Sequence, residues 1–331
     1  MKTENIFQKE LRLVESLIKK NFVKEKTISE LYGHVFKSKG KKIRAKLNLI
    51  SSSQNKKIKQ NNRIKLAAII ELLHTATLVH DDVVDNSPTR RGVKSVNNIW
   101  TNAHGVLIGD YIYSKAFIYM VDIGNKKILK ELSNATNDIS QGELIQLDAM
   151  NNLKITLNKL KKISYYKTGR LFEASAKTGA LLINANNMYV KNISNYAKNL
   201  GILFQIKDDL LDYSIKSEIG KPVFQDLREG KVTYPFFYAY KNSNSNQKRE
   251  LEKMIGNAKL NQKNAINLIT DLSGIEETKN LAKKYFNNSI NSAEKIKDLK
   301  IREEMIELAK IAINREKWVL ILKINTPRKN W

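Results

Sequence analysis

The chain has 331 residues, and its 58 lysines and arginines outnumber its 33 aspartates and glutamates, which gives a formal net charge of +25. It has no cysteine, which excludes disulfides, thiolate metal sites and cysteine nucleophiles. Hydrophobic residues make up 42% of the sequence, enough for a substantial core.

The N-terminus becomes amphipathic at helical spacing and lacks the apolar core of a signal peptide. No stretch approaches the roughly 18 to 20 apolar residues of a membrane span. We therefore expect a cytoplasmic protein without stable membrane insertion. The basic charge suggests nucleic-acid binding, but the lysines are spread over the whole chain and no nucleic-acid-binding motif accompanies them. We expect no nucleic acid as partner, and the charge suits steering of small anionic substrates.

Apolar residues recur at three- and four-residue spacing through most of the chain, which predicts helices. The clearest are residues 66–80, 106–122, 139–147, 160–183 and 189–213. Polar, Gly-containing or Pro-containing breaks fall at residues 51–62, 86–92, 150–152, 184–187, 218–230 and 242–246. Alternating strand patterns are nearly absent. The sequence predicts one all-α domain over residues 1–331, with ten or more helices and an extra C-terminal tail at 318–331.

Two aspartate clusters with one spacing stand out: residues 81–85 (DDVVD) and residues 208–212 (DDLLD). Each closes an apolar stretch, and the first and last aspartates of each cluster share a helix face. Such like charges repel, and nothing basic within either cluster neutralises them. An acidic pair at helical spacing is most often a solvated face, but two matching motifs favour a site for a cation that prefers oxygen ligands, such as Mg²⁺.

Each cluster continues a stripe of side chains along its helix. The first stripe contains His74, Thr77, Asp81 and Asp85, and the second runs through Gly201, Phe204 or Gln205, Asp208 and Asp212. Two such helices facing each other would form a metal-filled mouth above an apolar pocket. Five basic residues are suited to bind the phosphate oxygens of a metal-bound anion. They are Lys41, Arg44, Arg90, Arg91 and Lys167.

On these motifs the chain resembles the trans-isoprenyl (polyprenyl) diphosphate synthase family, and most closely the long-chain bacterial octaprenyl type. The resemblance runs from about residue 5 to 317. Its further markers are Arg90-Arg91-Gly92, Gly109-Asp110, Gln141-Gly142-Glu143, Lys167-Thr168, Lys221-Pro222, Asp226-Leu227 and Glu229-Gly230-Lys231.

The resemblance implies an isoprenoid-synthase bundle with a deep central cavity, a homodimer, and two or three Mg²⁺ ions per active site. It implies condensation of isopentenyl diphosphate with an allylic diphosphate such as farnesyl diphosphate, for the side chain of a quinone such as ubiquinone. The lipophilic product would be a long all-trans polyprenyl diphosphate.

The resemblance also implies individual roles. The catalytic set would be Asp81, Asp82, Asp85, Lys167, Asp208, Asp209 and Asp212, with Asp81, Asp85 and Asp208 as metal ligands. Isopentenyl diphosphate would contact Lys41, Arg44, His74 and Arg91. The allylic diphosphate would contact Arg90, Lys167, Thr168 and Gln205. A lone helical histidine is usually a satisfied core residue, and only the position of His74 on the aspartate stripe favours binding.

Two features depart from the usual family pattern. Residues 39–45 read KGKKIRA where the family usually has Gly-Gly-Lys-Arg-x-Arg-Pro, so the spacing of Lys41 and Arg44 is kept but the loop geometry is in doubt. The tail at 318–331 is the other, and an inert extension is its simplest interpretation.

Product length should depend on the depth of the apolar pocket. Ala76 and Thr77 are small where short-chain relatives carry an aromatic plug, which indicates a long product. Phe117 is the candidate floor residue, and Met120 is at least as well explained by core packing. Ala76→Tyr should shorten the products to about the farnesyl range.

Three alternatives remain open. A class I terpene cyclase also uses an aspartate-rich helix, but it would normally carry an Asn/Asp, Ser/Thr, Glu triad in place of residues 208–212. A non-catalytic partner subunit of a prenyl synthase tends to lose the aspartates that this chain keeps. A basic helical nucleic-acid-binding protein is the third.

Overall fold

The computed structural model describes residues 6–20, 24–37, 40–54, 60–214 and 224–315. This part of the chain contains sixteen α-helices, one π-helical turn and one two-stranded hairpin. The elements are α1 (Ile6–Lys19), α2 (Lys26–Val35), α3 (Ile43–Ser51), α4 (Gln60–Val84), β1 (Thr89–Arg90), β2 (Val93–Lys94), α5 (Val96–Ile99), α6 (Asn102–Ile123), α7 (Lys126–Leu147), α8 (Leu157–Ser164), the π turn (Tyr165–Gly169), α9 (Arg170–Leu182), α10 (Asn187–Asp212), α11 (Gln225–Arg228), α12 (Tyr234–Asn242), α13 (Ser245–Glu252), α14 (Gln262–Asp271), α15 (Gly274–Ala293) and α16 (Leu299–Ile313).

The all-α prediction is confirmed, and each predicted helix lies within an observed one or a continuous helical run. Helix α7 is longer than predicted because its first turns are polar and show no apolar period. Asn125 is its N-cap, and the Asn125 side chain accepts hydrogen bonds from the amides of Lys127 and Ile128. The predicted tail at 318–331 and the Lys221-Pro222 marker lie outside the described residues. Within those residues, no helix combines the length and apolar character needed to cross a membrane.

Helices α4, α9 and α10 form the centre of the bundle. The α4 run from Leu66 to Leu73 is almost completely buried, and Phe172 of α9 and Leu200 of α10 have no exposed surface. A helix that is apolar on nearly all sides needs neighbours on all sides, and α4 packs against α1, α3, α6 and α9. The aspartate clusters lie at the C-terminal ends of α4 and α10, the two long helices of this core.

A close backbone contact sets the distance between α10 and the π turn. A Cβ atom placed on Gly201 would come within 2.6 Å of the Cα of Gly169. No side chain fits at that separation, so position 201 needs glycine, whereas a Cβ on Gly169 would make tight contacts of 3.1 Å with Tyr165 and 3.3 Å with Ile202. The contact brings the second aspartate helix beside the turn that carries Lys167 and Thr168.

The only strands in the described residues form a hairpin immediately after the first aspartate cluster. Thr89 pairs with Lys94, and Arg90 pairs with Val93. Between them, Arg91 and Gly92 both have positive φ, at 53° and 77°, as the central residues of a tight type I′ hairpin do. The sequence predicts only a break here, because two-residue strands are too short to show a pattern.

Candidate active site

The two aspartate clusters line one cavity of about 540 Å³ between α4 and α10, here called the central cavity. Asp81 and Asp85 contribute from the first cluster, and Asp208 and Asp209 from the second. The facing arrangement expected from the two helical stripes is therefore present. Along α4 the lining also includes His74, Thr77 and Leu78, whereas Ile70 and Leu73, nearer the start of the helix, are buried in the core and do not line the cavity.

The apolar wall of the central cavity comes instead from α7 to α10. Its members include Ile139, Leu160, Ile163, Leu171, Phe172 and Phe204. One side of the cavity is thus rich in carboxylates and the other is apolar. This is the division expected of a site for an amphipathic substrate with a charged head.

Basic side chains surround the carboxylates within the same cavity. Every basic residue predicted as a substrate contact lines it: Lys41, Arg44, Arg90, Arg91 and Lys167. His74, Thr168 and Gln205 line it as well. Lys231 and Arg315 are further lining cations, and the sequence interpretation gave them no role.

Three of the aspartates are paired with cations from elsewhere in the chain. Arg90 Nε donates to Asp82 at 2.7 Å, Lys231 Nζ to Asp85 at 2.9 Å, and Arg315 pairs with Asp208 at 2.6 Å. The idea that the clusters lack neutralising partners holds only within each five-residue motif. In the fold it is wrong, because the hairpin, the segment after α11 and the end of α16 supply the missing charges.

Asp82 therefore plays a different part from Asp81. Asp82 is buried, is held by Arg90 and does not line the central cavity. Burial raises the pKa of Asp81, Lys167 and Arg90 lower it, and the like charge of Asp85 raises it again. The pKa of Asp81 is raised overall, and the repulsion expected between the first and last aspartates of the motif contributes to the rise.

Asp209 and Asp212 are both buried at the end of α10. Asp209 accepts from Gln205 Nε2 at 2.9 Å and from the amide of Tyr234 at 3.2 Å, and burial together with the charge of Asp226 raises its pKa to about 8. Asp212 accepts from the amides of Gln225 and Asp226. It is absent from the cavity lining, and it binds the first two amides of α11.

The π turn places Lys167 and Thr168 in the cavity. Lys167 Nζ donates to Glu143 Oε2 at 2.6 Å and Gln146 Oε1 at 2.7 Å, and Thr168 Oγ1 donates to Gln205 Oε1 at 2.6 Å. A π turn inside a longer helical run often marks a functional position. Gly142 allows the close packing, because a Cβ there would lie 2.9 Å from the amide nitrogen of Lys167. This explains the Gln141-Gly142-Glu143 motif physically.

Arg44 and His74 meet on the opposite side of the cavity. Arg44 Nη1 lies 3.0 Å from His74 Nε2, and its guanidinium stacks 4.4 Å from the centre of the Phe172 ring. Burial, followed by the charge of Arg44, lowers the pKa of His74 well below its ordinary value. The imidazole is therefore neutral, and its Nε2 accepts from the arginine. Arg44 lies in the first turn of α3 and Lys41 precedes that helix, so the altered loop still brings both into the cavity.

The residues predicted to control chain length are divided by the fold. Thr77 lines the central cavity, where its hydroxyl donates to the carbonyl of His74 at 2.8 Å. Ala76 is completely buried and lies outside the lining. Phe117 is 41% exposed on the outer face of α6, and Met120 is core. Phe117 does not line the central cavity, and its ring stacks on Tyr113 of α6 with ring centres 6.4 Å apart.

The sequence interpretation missed several groups that the fold brings to the site. Glu143, Asp226 and Lys231 belong to motifs quoted above, so their spacing was the available signal. Arg315 had no such signal. It is the last described residue, only 8% of its side chain is exposed, and it stacks 5.1 Å from the centre of the Phe204 ring.

The donor chemistry of this site fits Mg²⁺. The candidate ligands Asp81, Asp85 and Asp208 are carboxylates on one cavity, and Mg²⁺ prefers oxygen ligands. Among the described residues, no three acidic or histidine side chains converge closely enough to form a ready-made metal site. An ion would have to share or replace the Lys231 and Arg315 pairs.

The comparisons with known proteins agree with this geometry. The family model for polyprenyl synthetase matches residues 25–272. The chain is 35% identical to octaprenyl diphosphate synthase of Escherichia coli over 88% of this chain and 90% of that protein. It is 34% identical to geranylgeranyl diphosphate synthase of Saccharolobus solfataricus over 90% and 94%.

Among solved structures, a decaprenyl diphosphate synthase from Rhodobacter capsulatus superposes with a TM-score of 0.87 at 32% identity, covering 93% of this chain and 96% of that one. The helical fold and the facing aspartate clusters define a class of enzymes that act on isoprenyl diphosphates. The chain belongs to the polyprenyl synthetase family, and prenyl transfer is the activity that this membership supports.

Proposed function

We infer that the protein is a long-chain trans-polyprenyl diphosphate synthase that depends on Mg²⁺. It would condense isopentenyl diphosphate onto an allylic diphosphate such as farnesyl diphosphate, giving a product of the octaprenyl type for a quinone side chain. The observation that carries this proposal is one cavity lined by two aspartate clusters, several cations and an apolar wall. The relatives range from geranylgeranyl to decaprenyl synthases. The small residues at 76 and 77 support a long product, and the octaprenyl length rests on the likeness to octaprenyl diphosphate synthases.

The cations divide into two groups around the carboxylates. Arg90 and Lys167, with Thr168 and Gln205, would hold the allylic diphosphate. Lys41, Arg44 and Arg91, with neutral His74, would hold isopentenyl diphosphate. Arginine forks suit the oxygens of a diphosphate, and lysines act as point charges.

The reaction breaks the allylic carbon–oxygen bond, and the electron pair leaves with the diphosphate. The double bond of isopentenyl diphosphate then forms the new carbon–carbon bond, and a proton is lost to the released diphosphate. Bound Mg²⁺, held by Asp81, Asp85 and Asp208, would neutralise charge on the departing diphosphate. Lys167 and Arg90 stabilise that same charge electrostatically.

The apolar wall protects the cationic carbon. Phe204 lines the cavity, where an aromatic ring would stabilise a nearby cation, and the Thr168 and Gln205 oxygens add dipoles. Excluding water matters because water would quench the cation. No protein base is required, which agrees with a neutral His74 that is already engaged by Arg44.

We also propose a homodimer. Leu107, Ile118 and Val121 of α6 are 67%, 55% and 69% exposed, and Leu144 of α7 is 63% exposed. The three α6 residues share one helix face, and clustered apolar exposure of this kind marks an interaction surface. Phe117 lies beside them on α6.

The activity test is incubation with labelled isopentenyl diphosphate, farnesyl diphosphate and Mg²⁺, followed by chromatography of the dephosphorylated products. We expect long polyprenols, complete dependence on the ion, and a loss of at least about a hundredfold in kcat/KM for Asp81→Asn and Asp208→Asn. Asp271→Asn, a surface change on α14, is the matched control.

Other outcomes would contradict the proposal. Turnover that survives a chelator would remove the metal from the mechanism. A cyclic hydrocarbon product would indicate a terpene cyclase, and inactivity without a second protein would indicate a partner subunit.

A further inference from the structure

A second cavity, of about 500 Å³, lies on the other side of the hairpin, between α1, α2 and α4. Its size is within the usual range for small-molecule sites. It shares six lining residues with the central cavity: Gly40, Lys42, Glu71, Leu78, Arg90 and Arg91. The two cavities are therefore separated by a wall that contains two of the proposed diphosphate contacts.

One side of the second cavity is apolar. Tyr32 and Phe36 pack together with ring centres 4.6 Å apart, and Leu78 and Val79 face them from α4. Val35 completes this surface from α2. Such a surface suits a short hydrocarbon tail.

The other side carries positive charge without matching acids. Each acidic residue in the lining already has a partner: Asp82 is paired with Arg90, Glu15 with Lys42, and Glu71 accepts from the amide of Ala45. Lys19, Lys37 and Lys94 also line the cavity, and within the described part of the chain none of the three forms an ion pair. The net charge available to an occupant is positive.

Arg91 is held in the shared wall. Its φ of 53° is left-handed, a conformation that is unfavourable for a non-glycine residue and persists where the surroundings require it. Its guanidinium packs against the backbone of Gly40, where a Cβ atom would collide with it. The side chain is thus fixed where it can meet an anion in either cavity.

We propose that the second cavity binds an amphipathic phosphate, a phosphate head on a short apolar tail, and that this ligand regulates the central cavity. The head would contact Arg91, Lys19 and Lys37, and the tail would lie against Tyr32, Phe36 and Val79. An anion there competes for Arg91 and so weakens the hold on isopentenyl diphosphate. The binding site stands independently of the proposed reaction, whereas the effect on turnover rests on it.

Binding is tested by equilibrium dialysis with radiolabelled farnesyl monophosphate, which lacks the diphosphate leaving group. We expect two molecules per wild-type chain, one in each cavity. The rim variant, Lys19→Glu/Lys37→Glu, reverses two positive charges of the second cavity. The filling variant, Val35→Trp, occupies its apolar side. Each should weaken the binding of one of the two molecules at least tenfold. Lys283→Glu/Lys284→Glu makes the same charge change on exposed residues of α15, and this control should still bind two molecules per chain.

The chemistry of the ligand is tested with its two halves. Farnesol and inorganic phosphate should each bind the second cavity more than tenfold more weakly than farnesyl monophosphate. If farnesol bound as tightly as farnesyl monophosphate, the second cavity would be an apolar pocket that does not recognise phosphate. The site would be overturned if the wild type bound only one molecule of farnesyl monophosphate per chain. It would also be overturned if the rim variant and the filling variant both still bound two. Thermal unfolding checks that every variant is folded.

Regulation is tested by steady-state kinetics with the same compounds. Farnesyl monophosphate should raise the KM for isopentenyl diphosphate in the wild type, and the second-cavity variants should lose part of this inhibition while keeping their uninhibited kcat. Identical inhibition of all proteins would overturn the coupling. If the protein proved inactive, dialysis would still decide the site, so the two failures remain distinguishable.

Discussion

Lys41 lines the central cavity, and its ammonium group is sensitive to its surroundings. Burial, then the charges of Arg315 and Arg91, lower its pKa from an ordinary 10.5 to about 8. The side chain therefore carries its charge below about pH 8 and loses it above. Its predicted contact with isopentenyl diphosphate should follow the same direction.

We expect the KM for isopentenyl diphosphate to rise as the pH increases through about 8, with little change in kcat. The rise can reach roughly tenfold for each pH unit above the pKa. Lys41→Arg should have a flatter profile between about pH 7 and 9.5, because arginine stays protonated. Steady-state kinetics over this range check the prediction, and parallel profiles for the two proteins would contradict it.

If Asp208 binds Mg²⁺ as proposed, Arg315 would compete with the ion for this carboxylate. Their ion pair is 2.6 Å long and largely shielded from solvent, and a hydrogen bond to a charged group contributes about 1.5–3 kcal/mol. Arg315→Met keeps an apolar side chain over Phe204 but removes the charge. We expect Mn²⁺, a spectroscopic substitute for Mg²⁺, to bind this variant about tenfold more tightly.

Electron paramagnetic resonance of free Mn²⁺ measures that affinity without substrate. Lys310→Met, on the exposed side of α16 just before Arg315, should bind the ion as the wild type does. Weaker or unchanged binding by Arg315→Met would show that the arginine does not compete for the carboxylate.

Helix α4 carries both the first aspartate cluster and the predicted control of chain length. Thr77 lies four residues before Asp81 and therefore about 40° from it around the helix, whereas Ala76 lies about 140° away. This explains why Thr77 lines the cavity while Ala76 is buried in the core. A product chain that passes Thr77 would next meet the packing between α4 and α6.

We expect Thr77→Phe to shorten the products directly, because the ring enters the cavity. Ala76→Tyr should also shorten them toward the farnesyl range, with lower thermal stability, since overpacking a core typically costs about 1–3 kcal/mol. Product chromatography and thermal unfolding measure the two effects. Shortening by Thr77→Phe alone would mean that the chain grows toward Leu160 and Ile163 instead.

At the level of elements, periodicity was sufficient to predict the main helices and the stripes that bear the aspartates. It could not predict the hairpin, whose strands have two residues each, or the π turn, which has no period of its own. The functional consequence of both is local. They aim Arg90, Arg91, Lys167 and Thr168 into the central cavity.

For the whole molecule, the limit of prediction is sequence distance. Lys231 reaches Asp85 across 146 residues, and Arg315 reaches Asp208 from the end of α16. No local pattern records such pairs, so the clusters looked unneutralised in the sequence. The position of Phe117 outside the cavity lining was beyond prediction for the same reason, because the packing of α6 on α4 is settled only by the whole bundle.

The outer face of α6 gives the last prediction. Leu107→Glu/Val121→Glu places two charges in the proposed dimer interface, where burying an unpaired carboxylate is strongly unfavourable. Light scattering after gel filtration should find a dimer for the wild type and a species near 38.0 kDa, the mass of one chain, for the variant.

Leu299→Glu changes an equally exposed leucine on α16 and should remain dimeric. A monomeric wild type would remove the dimer from the proposal, and a dimeric variant would place the interface elsewhere. Because α6 packs on α4, loss of activity in a folded monomer would further indicate that the dimer supports the aspartate helix.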